Sequence, residues 1–337
     1  MADKLLVKWE EAHNATLDNL VHDIRIVWST KDAERTIYDT LLHTVHHASK
    51  LGEQVRRGEY QAVLAELGHT VMWFLTFVGK LQQPIEERQK ERWEEHLFYT
   101  PLPLMDIVWN KYPYTCHACY LRLSNESRQE EAFKRQCDCL LKPNIVELRT
   151  EKEKADAEQS LRKFAEDHNN EKVKSLSGLE EMFTYLFESN YDNLSLESVA
   201  FHLLEEIGEI SDALVRLYSY DLDKTPDPVE SCLQRRRSLE SEIADAVSWI
   251  FAVSLRVKRL YEIYDKLPDR LTHGPFTPSP QPRAPSVSFV NILWIQYGDK
   301  NTGFLFCPTC EKPRCECKLS FYKDESSTGD LIPKLIG

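Results

Sequence analysis

Ser198 to Leu217 reads SVAFHLLEEIGEISDALVRL. Val199, Leu203, Ile207, Ile210, Leu214 and Leu217 recur every three or four residues, the spacing of a helix with one buried face. Within that apolar pattern Glu205, Glu206 and Glu209 crowd into five residues. Glu206 and Glu209 are three apart and share a face, and Glu205 flanks them one turn from Glu209. A second such stretch, LESEIADAVSWIFAVSLRV, runs from Leu239 to Val257. Its stripe is Leu239, Ile243, Ala246, Ile250, Val253 and Val257, with Glu242 and Asp245 beside it.

Two helices that bury adjacent stripes bring four carboxylates together. Unpaired anions about 3–4 Å apart repel strongly away from water, so the cluster needs a cation. Carboxylate oxygens without His or Cys select hard ions, Mg²⁺ or Mn²⁺. The plainer alternative is a set of solvated faces, each acid paired with a nearby Lys or Arg. Against it, no Lys or Arg lies three or four residues from Glu205, Glu206 or Glu209.

The pattern E-E-x-x-E followed by E-x-x-D resembles the signature of the MazG-type all-α nucleoside triphosphate pyrophosphatases. Glu205-Glu206-Ile207-Gly208-Glu209 and Glu242-Ile243-Ala244-Asp245 match it, and the likeness extends over about Leu179 to Leu260. The insert from Ser219 to Ser238 is longer than in most members and is expected to alter the rim of the site. The resemblance implies Mg²⁺ held by Glu206, Glu209, Glu242 and Asp245, with Glu205 as ligand or general base. It also implies cleavage of a nucleoside triphosphate between its α and β phosphates, giving a monophosphate and pyrophosphate. Members build the site between two copies of the helical unit.

The chain contains a candidate for the second copy. Thr36 to Leu81 aligns with the acidic stretches, His46 on His202, Lys50 on Glu206, Gly52 on Gly208 and Glu53 on Glu209. Further on, Glu66 falls on Glu242, His69 on Asp245 and Trp73 on Trp249. Asp106-Ile-Val-Trp109 resembles Asn291-Ile-Leu-Trp294, and each copy ends in C-x-x-C and C-x-C. Order kept over four blocks reads as a duplication. In copy one Ser49, Lys50 and His69 stand where copy two has Glu205, Glu206 and Asp245, so copy one is expected to be structural. Lys50 is expected to pair with Glu53 or Glu66, or else, with Arg56 or Arg57, to meet phosphates of the substrate. Trp249 and Trp73 pack the core or face the base. His43, His46, His47 and His69 could also form a transition-metal site, a weaker reading than polar surface.

The cysteines carry a second signal. Cys116, Cys119, Cys137 and Cys139 form one set, and Cys307, Cys310, Cys315 and Cys317 the other. Such pairs close tetrahedral Cys₄ zinc sites with no open position for catalysis. The alternatives are sites that draw one pair from each module, or disulfides. Short strands are expected near Ile292–Tyr297 and Thr302–Phe306. Cys232 stands alone.

The expected architecture is mainly α: two tandem MazG-like bundles packed as a pseudo-dimer, each followed by a Cys₄ module. The boundaries are 1–100, the degenerate unit; 101–148, the first Cys₄ module; and 149–178, a charged connector. Then come 179–266, the intact unit; 267–287, a linker; and 288–337, the second Cys₄ module. Leu267 to Pro285 carries six prolines, which excludes a helix interior. The net charge of −12 over 337 residues leaves no general basic footprint for nucleic acid, although Lys312, Arg314 and Lys318 form a local patch. The N-terminus carries charges throughout and the apolar runs are short, so no leader and no membrane span are expected. Nine cysteines then suggest reduced thiols and a cytoplasmic location. The expected partners are a nucleoside triphosphate and, on the family pattern, a possible homo-oligomer.

Overall fold

In a computed structural model the described residues are 4–32, 34–82, 102–125, 129–137, 139, 150–218, 228–265, 288–299 and 301–317. They are mainly helical: α1 Leu17–Asp32, α2 Ile37–Arg57, α3 Tyr60–Leu81, α4 Leu104–Lys111, α5 His117–Asn125, α6 Glu151–Asp167, α7 Leu176–Asn193, α8 Leu196–Tyr218, α9 Pro228–Asp265 and α10 Phe289–Tyr297. The Pro-rich linker, residues 219–227 of the insert and the chain beyond Cys317 lie outside the described residues.

Local chemistry sets the helix ends. Thr36 and Asp39 form a capping box on α2, each side chain meeting the other's backbone N–H. Gly58 ends α2 at φ +71°, the left-handed conformation that glycine adopts without a Cβ clash. The stripes read from the sequence are buried. Val199, Leu203, Ile207, Ile210 and Leu214 of α8 are enclosed, as are Leu239, Ile243, Ala246, Ile250, Val253 and Val257 of α9. Each of these Val, Leu and Ile side chains contributes about 1.5–3 kcal/mol. On α1, Leu17, Leu20, Ile24 and Val27 point inward. Its buried Asp23 accepts the Leu6 and Val7 N–H groups, both at 2.8 Å, which ties down the preceding chain.

The contacts come in corresponding pairs. α2 packs on α3 and α8 on α9; α1 packs on α3 and α7 on α9; α2 and α8 meet between them. The short helices cross over: α4 packs on α9, and α10 on α3. The cysteine loops cross the same way. Cys137 N–H donates to Leu186 O on α7 at 2.7 Å, and Cys315 N–H to Val27 O on α1 at 2.6 Å.

Two expectations are corrected here. The charged stretch 149–178 is no solvated connector, because α6 buries Leu161, Phe164 and Ala165 and its Ala165 carbonyl accepts the Trp109 Nε1–H at 3.0 Å. The strand expected at Ile292–Tyr297 is helix α10, capped by the Ser288 side chain; a short apolar run does not distinguish strand from buried helix. Only isolated bridges, Gly298 to Leu305 and Cys307 to Lys312, follow it, with no strand among the described residues. Finally, Ala62–Leu81 is long and apolar enough to cross a membrane by composition, but it is mostly buried as a core helix.

Candidate metal centre

α8 and α9 lie side by side and bring Glu206, Glu209 and Glu242 together, with one carboxylate oxygen of each within 4.8 Å of the others. Trp249 Nε1 donates to Glu206 Oε1 at 3.1 Å. The second oxygen, Glu206 Oε2, is buried and has no hydrogen-bond partner among the described residues. Burial, then the charges of Asp245 and Glu209, raises the Glu206 carboxyl to about 8. Burial also raises Glu242, to about 7, although the Lys111 ammonium pulls it down. Two half-buried acids with a raised proton affinity, Glu206 and Glu242, an exposed third, Glu209, and an orphaned oxygen fit a hard divalent cation.

Asp245 is not in that triad. Its Oδ2 lies 2.5 Å from Lys111 Nζ, and its Oδ1 accepts the Tyr112 hydroxyl. Lys111 also donates to Ser241 Oγ at 2.5 Å. Burial alone would lower the Lys111 pKa, but the Asp245 and Glu242 carboxylates more than offset it and raise it, so the ammonium stays charged. Glu205 turns outward and meets His202 Nδ1 at 3.1 Å. His202 stacks on Trp249 with ring centroids 4.5 Å apart.

The geometry changes the internal alignment. His43 stacks on Trp73 at 4.1 Å, as His202 does on Trp249. With His43 laid on His202, buried Leu41, Thr44, Ala48, Leu51 and Val55 fall on buried Ala200, Leu203, Ile207, Ile210 and Leu214. The register read from the glycines of α2 and α8 is therefore one helical turn out. The counterparts of Glu206, Glu209, Glu242 and Asp245 are His47, Lys50, Glu66 and His69. Ser49 lies opposite Gly208, on the exposed side of the helix.

In this second constellation the polar groups satisfy one another. His47 Nδ1 is 2.8 Å from Glu66 Oε2. His69 Nδ1 meets the Tyr297 hydroxyl, and Gln296 Nε2 lies 3.2 Å from His69 Nε2. Burial pushes the Glu66 carboxyl up, but the His47 hydrogen bond and the charges of His47, His69 and Lys50 prevail and hold it below its usual range. Lys50 thus acts on Glu66, while Glu53 pairs with Arg57 at 2.5 Å. Arg56 is exposed at the end of α2. The ammonium whose charge acts on Glu206 and Glu242 of the triad is Lys111. Among the described residues, the groups with metal-ligand proximity are the triad and the two Cys quartets, and the histidines do not form one.

Each quartet is assembled from one module: Cys116, Cys119, Cys137 and Cys139, and Cys307, Cys310, Cys315 and Cys317. That removes the shared-pair alternative. The thiols are free. Sulfur separations of 3.3 Å (Cys119 to Cys139), 3.7 Å (Cys116 to Cys139) and 3.9 Å (Cys307 to Cys317) are too long for a disulfide of about 2.05 Å. They suit the edges of a tetrahedron with zinc–sulfur bonds of about 2.3 Å. The lone Cys232 is buried.

Lys111 and Tyr112 escaped the sequence reading. Extending the Asp106–Trp109 and Asn291–Trp294 block by three residues would have shown a tyrosine in both copies, Tyr112 and Tyr297. No family model matches the chain, and neither a curated protein nor a solved structure matches it.

Proposed function

We propose that this chain is a Mg²⁺-dependent nucleoside triphosphate pyrophosphohydrolase of the MazG type, with its site on α8 and α9. The observation that carries the reading is the triad of Glu206, Glu209 and Glu242 around an unpartnered buried oxygen. On this reading the three carboxylates hold the cation, and Trp249 fixes the orientation of Glu206. When bound, Mg²⁺ neutralises phosphate oxygens and lowers the pKa of a bound water. Lys111 keeps Asp245 in place beside the triad and would set a buried positive charge near the phosphates. Glu205, exposed and oriented by His202, stands at the rim, where it accepts a proton from water.

The paired contacts support a tandem duplication folded as a pseudo-dimer, with α4 and α10 exchanged between the halves. One half keeps the cation site, and the other fills the equivalent space with a neutralised His47–Glu66 and His69–Tyr297 network. The Cys quartets are structural zinc sites in this scheme, and the location is cytoplasmic. A second reading, a nucleotide sensor with slow or lost hydrolysis, is favoured by Lys111, which already occupies Asp245.

The test is incubation of the full chain with Mg²⁺ and a panel of canonical and modified NTPs and dNTPs. Monophosphate and pyrophosphate in equal amounts are expected from at least one. Tight nucleotide binding with no product from any of them would favour the sensor.

A further inference from the structure

Trp249 Nε1 donates to Glu206 Oε1, which leaves Oε2 as the buried oxygen without a partner among the described residues. The direction of that N–H therefore decides which way the remaining oxygen points. An indole turns about two side-chain bonds, and one hydrogen bond to a carboxylate does not fix both.

The second constraint is His202. Its ring lies on one face of Trp249, with centroids 4.5 Å apart and planes 19° apart. His202 stands four residues before Glu206 on α8, so the two share a face of the helix. The indole from α9 lies along that turn, its ring on the first side chain and its N–H on the second. The imidazole is held in turn by Glu205, whose Oε2 is 3.1 Å from Nδ1. The α2–α3 half keeps the stack but changes its surroundings. His43 lies on Trp73 at 4.1 Å, but the residue four on is His47, which is bonded to Glu66. His46 stands in the place of Glu205, and Trp73 carries the Arg35 guanidinium 4.5 Å from its ring.

We propose that His202 is a positioning residue of the cation site: it fixes the plane of Trp249 and, through the indole N–H, the carboxylate of Glu206. The inference rests on the reading of the triad as a cation site, and not on hydrolysis. The His202 side chain is 41% exposed and Glu205 62%, so their pairing adds little to folding. Changes at His202 can therefore be read at the cation without unfolding the bundle.

The experiment titrates Mn²⁺ into the full chain without nucleotide, followed by paramagnetic relaxation. It compares wild type with His202→Phe, His202→Asn, Trp249→Phe and the double variant His202→Asn, Trp249→Phe, each checked for zinc content and melting temperature. Phe keeps a flat ring on the indole and loses the Glu205 bond; Asn keeps a polar group within reach of Glu205 and loses the ring. Affinity in His202→Phe should stay within about twofold of wild type. His202→Asn should weaken it about tenfold, and Trp249→Phe, which lacks the N–H, at least as much. The double variant should be no weaker than Trp249→Phe alone, because both changes act on one route. Affinity in His202→Asn equal to wild type, a loss in His202→Phe as large as in His202→Asn, or additive losses in the double variant would overturn the proposal. If Trp249→Phe does not fold, the contrast between Phe and Asn at position 202 decides. Wild type that binds Mn²⁺ with all His202 variants alike overturns this role only; wild type that binds none overturns the triad reading as well.

Discussion

The two polar constellations of this bundle occupy corresponding places and solve opposite electrostatic problems. On α8 and α9, Glu206, Glu242 and Asp245 act on the buried Lys111, Glu209 completes the triad, and one carboxylate oxygen has no partner among the described residues. On α2 and α3, His47 bonds Glu66 and His69 bonds Tyr297. The tyrosine is common to both, as Tyr112 and Tyr297; its partner is Asp245 in one and His69 in the other. One constellation leaves a buried carboxylate oxygen unpartnered among the described residues, and the other is satisfied by its own side chains.

The sharpest way to break the comparison is to remove one acid from each side. Glu242→Gln should lower pyrophosphate formation roughly hundredfold or more, because a cation ligand is lost. Glu66→Gln should leave hydrolysis close to wild type and cost about 1–3 kcal/mol of stability through the broken His47 bond. Initial rates and denaturant melts on both variants check this. Equal kinetic damage from the two would show that the sites share one function.

Next in size is zinc. Each quartet is bonded to the first helix of the other half, through Cys137 to Leu186 and Cys315 to Val27. Asn190 Nδ2 also donates to Cys137 Sγ at 3.1 Å. Cys119→Ser should lower zinc from about two ions per chain to about one. It should also depress activity severalfold, because α4 carries Lys111 and Tyr112 into the acid site. Cys310→Ser should lose the same zinc with a smaller effect on rate, since α10 serves the His69 side. Elemental analysis with parallel kinetics separates the two.

The pH dependence of stability should run in opposite directions. Glu206, raised to about 8, and Glu242, raised to about 7, hold their protons more tightly when folded than the usual value of 4.5. Their contribution is complete below about pH 4.5 and is lost as pH rises towards 8, where the unfolded chain has already released the protons. Glu66 is lowered, so its contribution is present above about pH 4.5 and is lost on acidification. Melting temperatures without divalent ions should therefore fall between pH 5 and pH 8. Mg²⁺ should restore most of the loss at pH 8 and little at pH 5. A flat profile with no response to Mg²⁺ would remove the cation from the account.

Much of this was legible in the chain because helical periodicity is local. The stripes of α8 and α9 and the meeting of Glu206, Glu209 and Glu242 followed from residues three or four apart. The cysteine quartets followed from spacing that repeats. What the sequence concealed is tertiary. Lys111 reaches Asp245 across 134 positions, a pairing that no periodicity encodes. α6 carries mostly charged residues, and its three buried ones, Leu161, Phe164 and Ala165, are too few to stand out from the charged background. The internal alignment slipped because Gly52 and Gly208 looked equivalent. Gly52 is buried and Gly208 exposed, so the match of letters was not a match of environments. The run VNILWIQY reads as strand or helix with equal ease, and packing against α3 settles it as helix.

The smallest expected effect tests the corrected register. Matched glycines place Ser49, Lys50 and His69 opposite Glu205, Glu206 and Asp245. The stacked His43–Trp73 and His202–Trp249 pairs instead place His47, Lys50 and His69 opposite Glu206, Glu209 and Asp245. The triple variant His47→Glu, Lys50→Glu, His69→Asp removes both histidines and the lysine from around Glu66. It should create a second, weaker Mn²⁺ site, seen as an added step in a titration followed by paramagnetic relaxation. The variant Ser49→Glu, Lys50→Glu, His69→Asp keeps the His47–Glu66 bond and adds its new acid on the exposed side of α2. It should gain no second site. A second step in the latter and none in the former would return the register to the glycines. Added binding in neither would mean that backbone spacing, rather than side-chain identity, closes the α2–α3 half to cations, so replacing the histidines alone does not recreate the site.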